Sequence, residues 1–145
     1  METNHPLLDM HLKLKRLYDQ QLAPVMEKWQ LTRMELDVLL FLQCHPQVTT
    51  AAQLVQQRAL TKSHVSKAVE HLTACGYLTQ QRDERNRRRI NLTLTDKAAP
   101  ILEEGRAAQE KFAAILNQGV DPADRDIFFR VARQVSDNVA AALRS

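Results

Sequence analysis

The apolar residues of this 145-residue chain recur mostly at helical spacing. From Leu7 to Trp29 they fall at Leu8, Leu12, Leu17, Leu22, Val25, Met26 and Trp29, which predicts one long amphipathic helix, kinked or broken near Pro24, where a helical hydrogen bond is lost. Thr32 and Glu35 form a capping-box pair ahead of a nearly continuous apolar run, Val38–Leu42, with Cys44 after it. A deeply buried helix is expected there, ending at His45-Pro46. Thr50 and Gln53 repeat the capping pattern and open a short helix to about Gln57. A tight connection, "RAL", follows. Thr61 then caps a helix to about Cys75, and Gly76 is the expected left-handed residue beyond its end. On that helix Val65, Ala68, Val69 and Leu72 make one apolar stripe, with polar residues elsewhere around it.

The period then changes from helical to two. Tyr77-Leu78 begins a strand, and Arg89–Leu94 is a second, with Ile90, Leu92 and Leu94 on one side and Asn91 and Thr93 on the other. The charged loop "RDERNRRR" joins them into a hairpin, and burial of the Ile90/Leu92/Leu94 face is expected to pin its register. Thr95 is placed to cap a helix from Asp96 to about Asn117, which Gly119 breaks. Asp121-Pro122 marks the start of a last helix, carrying Phe128, Val131, Val135, Val139 and Leu143. The fold class is therefore mainly α with a small β-hairpin. A helix-turn-helix followed directly by a hairpin is the outline of a winged helix.

Charge sharpens this outline. Residues 58–89 carry eight Lys or Arg against three Asp or Glu, within a chain whose net charge is only +3, so the remainder is net negative. A basic centre between acidic ends points to a polyanion-binding surface. A recognition helix needs short polar and basic residues facing outward near its N-terminal half, and Thr61, Lys62, Ser63, His64, Ser66 and Lys67 meet that need. A solvated helix face has the same composition. The wing candidates are Arg82, Arg85, Arg87 and Arg88. A charge block alone reads equally as a disordered tail, but the alternation that follows at once argues for a rigid hairpin able to place arginine in a minor groove and on phosphates.

Other classes of function lack support. There is no glycine-rich phosphate loop, HExxH or nucleophile elbow, so an enzyme is not expected, and no cofactor is implied. His5, His11, His45, His64 and His71 lack metal-ligand spacing, and Cys44 and Cys75 fit neither a zinc site nor a disulfide framework. Both cysteines read as small buried hydrophobes. No apolar run reaches membrane length and "METNHPLLDM" is no secretory signal, so a cytoplasmic protein is expected.

The stretch 31–98 resembles the MarR family of bacterial transcription regulators. The residues that carry the likeness are Leu31-Thr32 with Leu39, Thr50 with Leu54, Leu72 with Gly76-Tyr77-Leu78, Asn86-Arg87-Arg88, and Leu94-Thr95-Asp96-Lys97-Ala98. The ending "LTDKAAP" is similar to the SlyA branch. The resemblance implies a winged helix-turn-helix over 31–95, with 1–30 and 96–145 forming a helical dimerisation region. It also implies a homodimeric repressor on a pseudo-palindromic double-stranded DNA operator, modulated by a small phenolic or carboxylic effector. His11, Tyr18 and Trp29 are then the candidates to line an effector cleft, although each also reads as an ordinary core or surface residue. Arg88 matches the arginine that enters the minor groove. The family's wing aspartate is Asn86 here, so its bracing role would be weaker or would pass to Asp83 or Glu84. The alternative from another class is a winged-helix module that docks an acidic protein partner.

Overall fold

A computed structural model describes residues 5–58 and 60–144. The tight connection expected at 58–60 includes Ala59, which lies outside the described residues, as do the first four residues and Ser145 of the expected dimerisation region. The chain forms two compact units, one reaching to Phe112 and the other starting at Ala113.

In the first unit, α1 runs Pro6–Trp29. The break considered at Pro24 does not occur, since the helix continues through it. Proline removes only one backbone donor, and Leu22 and Val25 on either side are buried and hold the helix against its neighbours. Helix α2 (Arg33–Cys44) opens with the expected capping box: Glu35 N–H donates to Thr32 Oγ1 at 3.2 Å, and Thr32 N–H donates to Glu35 Oε1 at 2.7 Å. Leu36, Val38, Leu39, Leu40 and Leu42 are all buried along it. Helix α3 (Ala51–Arg58) repeats the device, with Gln53 N–H on Thr50 Oγ1 at 3.2 Å and Thr50 N–H on Gln53 Oε1 at 3.1 Å. Helix α4 (Lys62–Ala74) is capped by Thr61, and Gly76 beyond its end has φ +84°, the left-handed conformation its position predicts. The core gathers Leu22, Leu36, Leu39, Leu54, Val65, Leu72, Leu78 and Ile101, each essentially without solvent contact.

Strands β1 (Leu78–Arg82) and β2 (Ile90–Leu94) pair antiparallel, with Leu78 opposite Leu94 and Arg82 opposite Ile90. The expected apolar face is buried only at its base. Leu92 is buried and Leu94 half-buried, but Ile90 is 40% exposed. The hairpin extends past the core, so its outer pair has nothing to pack on. A backbone bond supplies the missing anchor: Leu92 N–H donates to Thr49 C=O at 2.7 Å, tying β2 to the segment that precedes α3.

Thr95 does not cap the next helix through its side chain. Its hydroxyl instead donates to Gly76 C=O at 2.5 Å, and the chain passes through a 3-10 turn, Asp96–Ala98, into α5 (Ala99–Asn117). Lys28 and Trp29 of α1 both donate to Glu104 of α5. In the second unit, Asp121 Oδ1 accepts Ala123 N–H at 2.8 Å and starts α6 (Pro122–Arg144), as the Asp-Pro pair predicts. No residue of α6 is buried. Among the described residues, no helix is long and apolar enough to cross a membrane.

Candidate nucleic-acid interface

One side of α4 is fixed in the core by Val65, Ala68, Val69 and Leu72. That burial fixes what faces outward. Thr61, Lys62, Ser63, His64, Ser66 and Lys67 are all exposed, over the cap and first turns of the helix. The helix-turn-helix is thus rigid behind and polar in front. No neighbouring side chain bonds Lys62, Ser63, Ser66 or Lys67 among the described residues, so these groups remain free for an external partner.

The wing is ordered from within. Asp83 is its clasp: Oδ1 accepts Arg85 N–H at 2.8 Å and Asn86 N–H at 3.2 Å, while Oδ2 accepts the Asn91 amide at 3.2 Å. These bonds stabilise the charged carboxylate, the Arg85 amide most of all, and hold it below the ordinary aspartate range. Asn86 adds a second turn, since its Oδ1 accepts Arg88 N–H at 3.1 Å and its carbonyl accepts Arg89 N–H at 2.9 Å. The wing asparagine therefore orders the Arg88 backbone rather than the Arg88 guanidinium.

The arginines divide into two groups. Arg82 Nη1 donates to Arg87 C=O at 2.7 Å, and Arg89 donates to Asn91 Oδ1 at 3.2 Å and Thr49 Oγ1 at 2.8 Å. These two guanidinia help hold the wing. Among the described residues, the guanidinia of Arg85, Arg87 and Arg88 bond nothing in the protein. An open groove of about 430 Å³ separates the wing from the start of α3, with Thr50, Asn86, Arg88 and Arg89 on its walls. Positive side chains and a helix N-terminus on one groove favour an anion. Sequence reasoning passed over Arg89 and Thr49, which the fold joins across 40 positions. Asp83 carried a local signal, an acidic residue just before a turn.

The clasp predicts its own failure. Asp83→Ala is expected to raise the fast backbone mobility of Arg85 and Asn86 in NMR relaxation, with global stability essentially unchanged. Unchanged relaxation at those two amides would exclude the clasp. Because folding lowers the Asp83 pKa, its contribution is complete above the ordinary aspartate value. It is lost as pH falls through the depressed value.

The three effector candidates do not converge. His11 is exposed on α1. Tyr18 packs its ring 4.9 Å from that of Phe112, lies under the Arg33 guanidinium at 4.3 Å, and accepts Gln109 Nε2–H at 2.8 Å. The Trp29 indole N–H is taken by Glu104, whose carboxyl is held below its ordinary value by the Lys28 and Trp29 bonds. Two cavities along α1, of about 400 and 600 Å³, are lined instead by residues such as Lys15, Asp19 and Ala23. Neither cysteine has the buried place expected of it: Cys44 is exposed and Cys75 half-buried.

Residues 29–89 match the family model described as MarR family. The match covers the helix-turn-helix and the wing loop, under half of the chain. Among solved structures, the chain is similar to a MarR family regulator from Listeria monocytogenes complexed with 26mer DNA: 17% identity, TM-score 0.85, covering 97% of this chain and 92% of that one. It is similar to the transcriptional regulator SlyA, at 14% identity, TM-score 0.82 and coverages of 95% and 96%. It is also similar to BpsR of Bordetella bronchiseptica, whose DNA binding is regulated by 6-hydroxynicotinic acid, at 23% identity, TM-score 0.67 and coverages of 94% and 99%. At these identities the likeness shows the winged-helix fold, not the branch. No curated protein matches the sequence.

Proposed function

We propose that the protein is a homodimeric repressor that reads a pseudo-palindromic operator and responds to a small-molecule effector. The observation that carries the reading is the pairing of two prepared surfaces: the free polar face of α4 from Thr61 to Lys67, and a clasped wing that leaves Arg85, Arg87 and Arg88 unbonded. In this reading Ser63, His64, Ser66 and Lys67 enter the major groove, and the three arginines engage the minor groove and phosphates. The domain division follows: 31–95 binds DNA, and the helices of 1–30 and 96–145 form the dimer.

The dimer rests on apolar surface left uncovered. On α6, Phe128, Val131, Val135, Val139 and Leu143 are exposed at three- and four-residue steps, and α1 separately exposes Leu7, Leu8 and Leu12. A soluble monomer rarely leaves such stripes to water. A second copy covers both by symmetry. Two similar proteins support the remaining parts, one solved on DNA and one whose DNA binding a hydroxylated pyridine carboxylic acid regulates. His11, Tyr18 and Trp29 stay the effector candidates on this reading, with one of the α1 cavities as a neighbouring space.

The first test is a gel shift with nonspecific duplex at low salt, where retardation that weakens with added salt is expected. Full absence of retardation would favour a module that docks an acidic protein. Lys67→Ala is expected to lower affinity uniformly across sequences and to reduce the slope of log affinity against log salt by about 1. An unchanged slope would remove Lys67 from the phosphate contacts.

A further inference from the structure

The hairpin that carries the free arginines is held to the helices at two levels. At its root, Leu92 N–H donates to Thr49 C=O at 2.7 Å, and on the other strand Gln80 Nε2–H donates to Thr73 Oγ1 of α4 at 2.9 Å. Beyond that level Ile90 is exposed and gives the outer hairpin no apolar footing. Among the described residues, one side-chain bond reaches from there to the helical part of the fold: Arg89 Nη2–H donates to Thr49 Oγ1 at 2.8 Å. The open groove of about 430 Å³ lies between the tip and the start of α3, so the tip stands off that helix rather than resting on it.

Thr49 itself belongs to the helical side. Its N–H donates to Gln53 Oε1 of α3 at 2.7 Å, and α3 shares one core with α4 through Leu54 and Val65, both without solvent contact. The N–H, C=O and hydroxyl of Thr49 are thus all engaged. On the wing side the bond continues. Arg89 Nε–H donates to Asn91 Oδ1 at 3.2 Å, the Asn91 amide donates to Asp83 Oδ2 at 3.2 Å, and Asp83 Oδ1 accepts the Arg85 and Asn86 N–H groups. A continuous chain of hydrogen bonds therefore runs from α3 to the backbone of the wing tip. Asp83 orders the wing within itself, whereas Thr49 fixes where the ordered wing stands. Ile90 lies about 7 Å along the strand from Leu92, so a rotation of about 10° at that root moves the tip by more than about 1 Å. That exceeds the range of distances over which a hydrogen bond holds.

We propose that Thr49 is a positioning residue for DNA binding: its hydroxyl sets Arg85, Arg87 and Arg88 at a fixed distance from the outward face of α4, so that both surfaces engage one duplex together. The inference rests on the reading of α4 and the wing as a DNA-binding pair. Two contacts held in one frame reinforce each other, because the second forms without a further loss of freedom. With the Thr49 hydroxyl gone, the wing keeps its turns and its charges but no longer stands in register with α4. An arginine at the tip then loses its share of the binding.

The test is a double-mutant cycle on the full-length protein, read by fluorescence anisotropy at low, fixed salt with a labelled A·T-rich duplex, whose narrow minor groove attracts inserted arginine. T49V keeps the shape of the side chain and the backbone bond to Leu92, and removes the hydroxyl. R88A is expected to weaken binding at least about fivefold in the wild type and less than about twofold in T49V. K67A, on α4, is expected to cost the same factor in both backgrounds to within about twofold, as independent sites do. T49S keeps the hydroxyl and is expected to restore the full R88A cost. An R88A cost absent from the wild type, or left unmoved by T49V, would overturn the proposal, as would T49S behaving like T49V. A K67A cost that falls along with the R88A cost would show a general loss of structure and overturn it too. Should T49V not fold, R89M breaks the same bond from the wing side and the same cycle decides. A wild type with no salt-sensitive binding to the duplex would instead defeat the DNA-binding reading, and this inference with it, whereas failure of the cycle alone leaves that reading standing.

Discussion

Arg88→Ala is expected to weaken duplex binding by about 1–3 kcal/mol, or roughly 5- to 150-fold, with no change in melting temperature. The reasoning runs from the hydrogen bonds. Arg88 contributes its backbone N–H to the Asn86 turn, and alanine keeps that donor. The guanidinium itself bonds nothing in the protein among the described residues, so removing it costs the fold nothing. Its loss is felt only by a partner. Arg82→Ala is the built-in contrast, since its guanidinium holds the Arg87 carbonyl at 2.7 Å and acts first on wing order. Fluorescence anisotropy at fixed salt with both variants checks the pair. Wild-type affinity in Arg88→Ala would remove this arginine from the interface and return the wing to a solvated hairpin.

Asn86 bears on the same point. A carboxylate there would be free to pair with a guanidinium and neutralise it. The amide instead accepts one backbone N–H, while Asp83 takes over the clasping of Arg85 and Asn86. The wing thereby keeps its turn geometry and loses none of its positive field at Arg88. Wing order and wing charge are assigned to different residues, and each can be removed separately.

Local chemistry made much of this legible. Thr32 with Glu35, Thr50 with Gln53, Gly76, and Asp121-Pro122 each settle a helix end within four residues, and each forms as its sequence predicts. The misses share a cause: a distant partner outvoted a local preference. Pro24 would break an isolated helix, but buried Leu22 and Val25 flank it. The Thr95 hydroxyl had a capping role nearby and took Gly76 C=O, 19 positions away. Strict alternation placed Ile90 with Leu92, yet period alone cannot say where the core beneath a strand ends. For the proposed DNA surface, sequence named the exposed residues of α4 but could not separate the free arginines from those that hold the wing. That division depends on Thr49 and on the Arg87 carbonyl, which only the folded hairpin brings into reach.

A Val131→Glu/Val135→Glu double variant is expected to run as a monomer of 16.6 kDa, and the wild type, as the proposed dimer, at twice that mass. Both valines lie on the apolar stripe of α6, and no residue of that helix is buried within the chain. In a two-fold interface each substitution occurs twice, so four carboxylates meet where the wild type presents hydrocarbon. Desolvating each unpaired charge costs several kcal/mol, enough together to exceed the association energy of an ordinary dimer. The helix itself is not weakened, because glutamate has the better intrinsic helix propensity and leaves no cavity on an exposed face. Circular dichroism should therefore retain the α6 signal while analytical ultracentrifugation reports half the mass. The same variant separates dimerisation from DNA contact. Its recognition helix and wing are intact, so weak nonspecific binding at low salt survives, whereas operator affinity falls because one molecule no longer holds two half-sites at once. A double variant that sediments with the wild type would show that α6 is not the dimer contact, and the exposed leucines of α1 would become the surface to test.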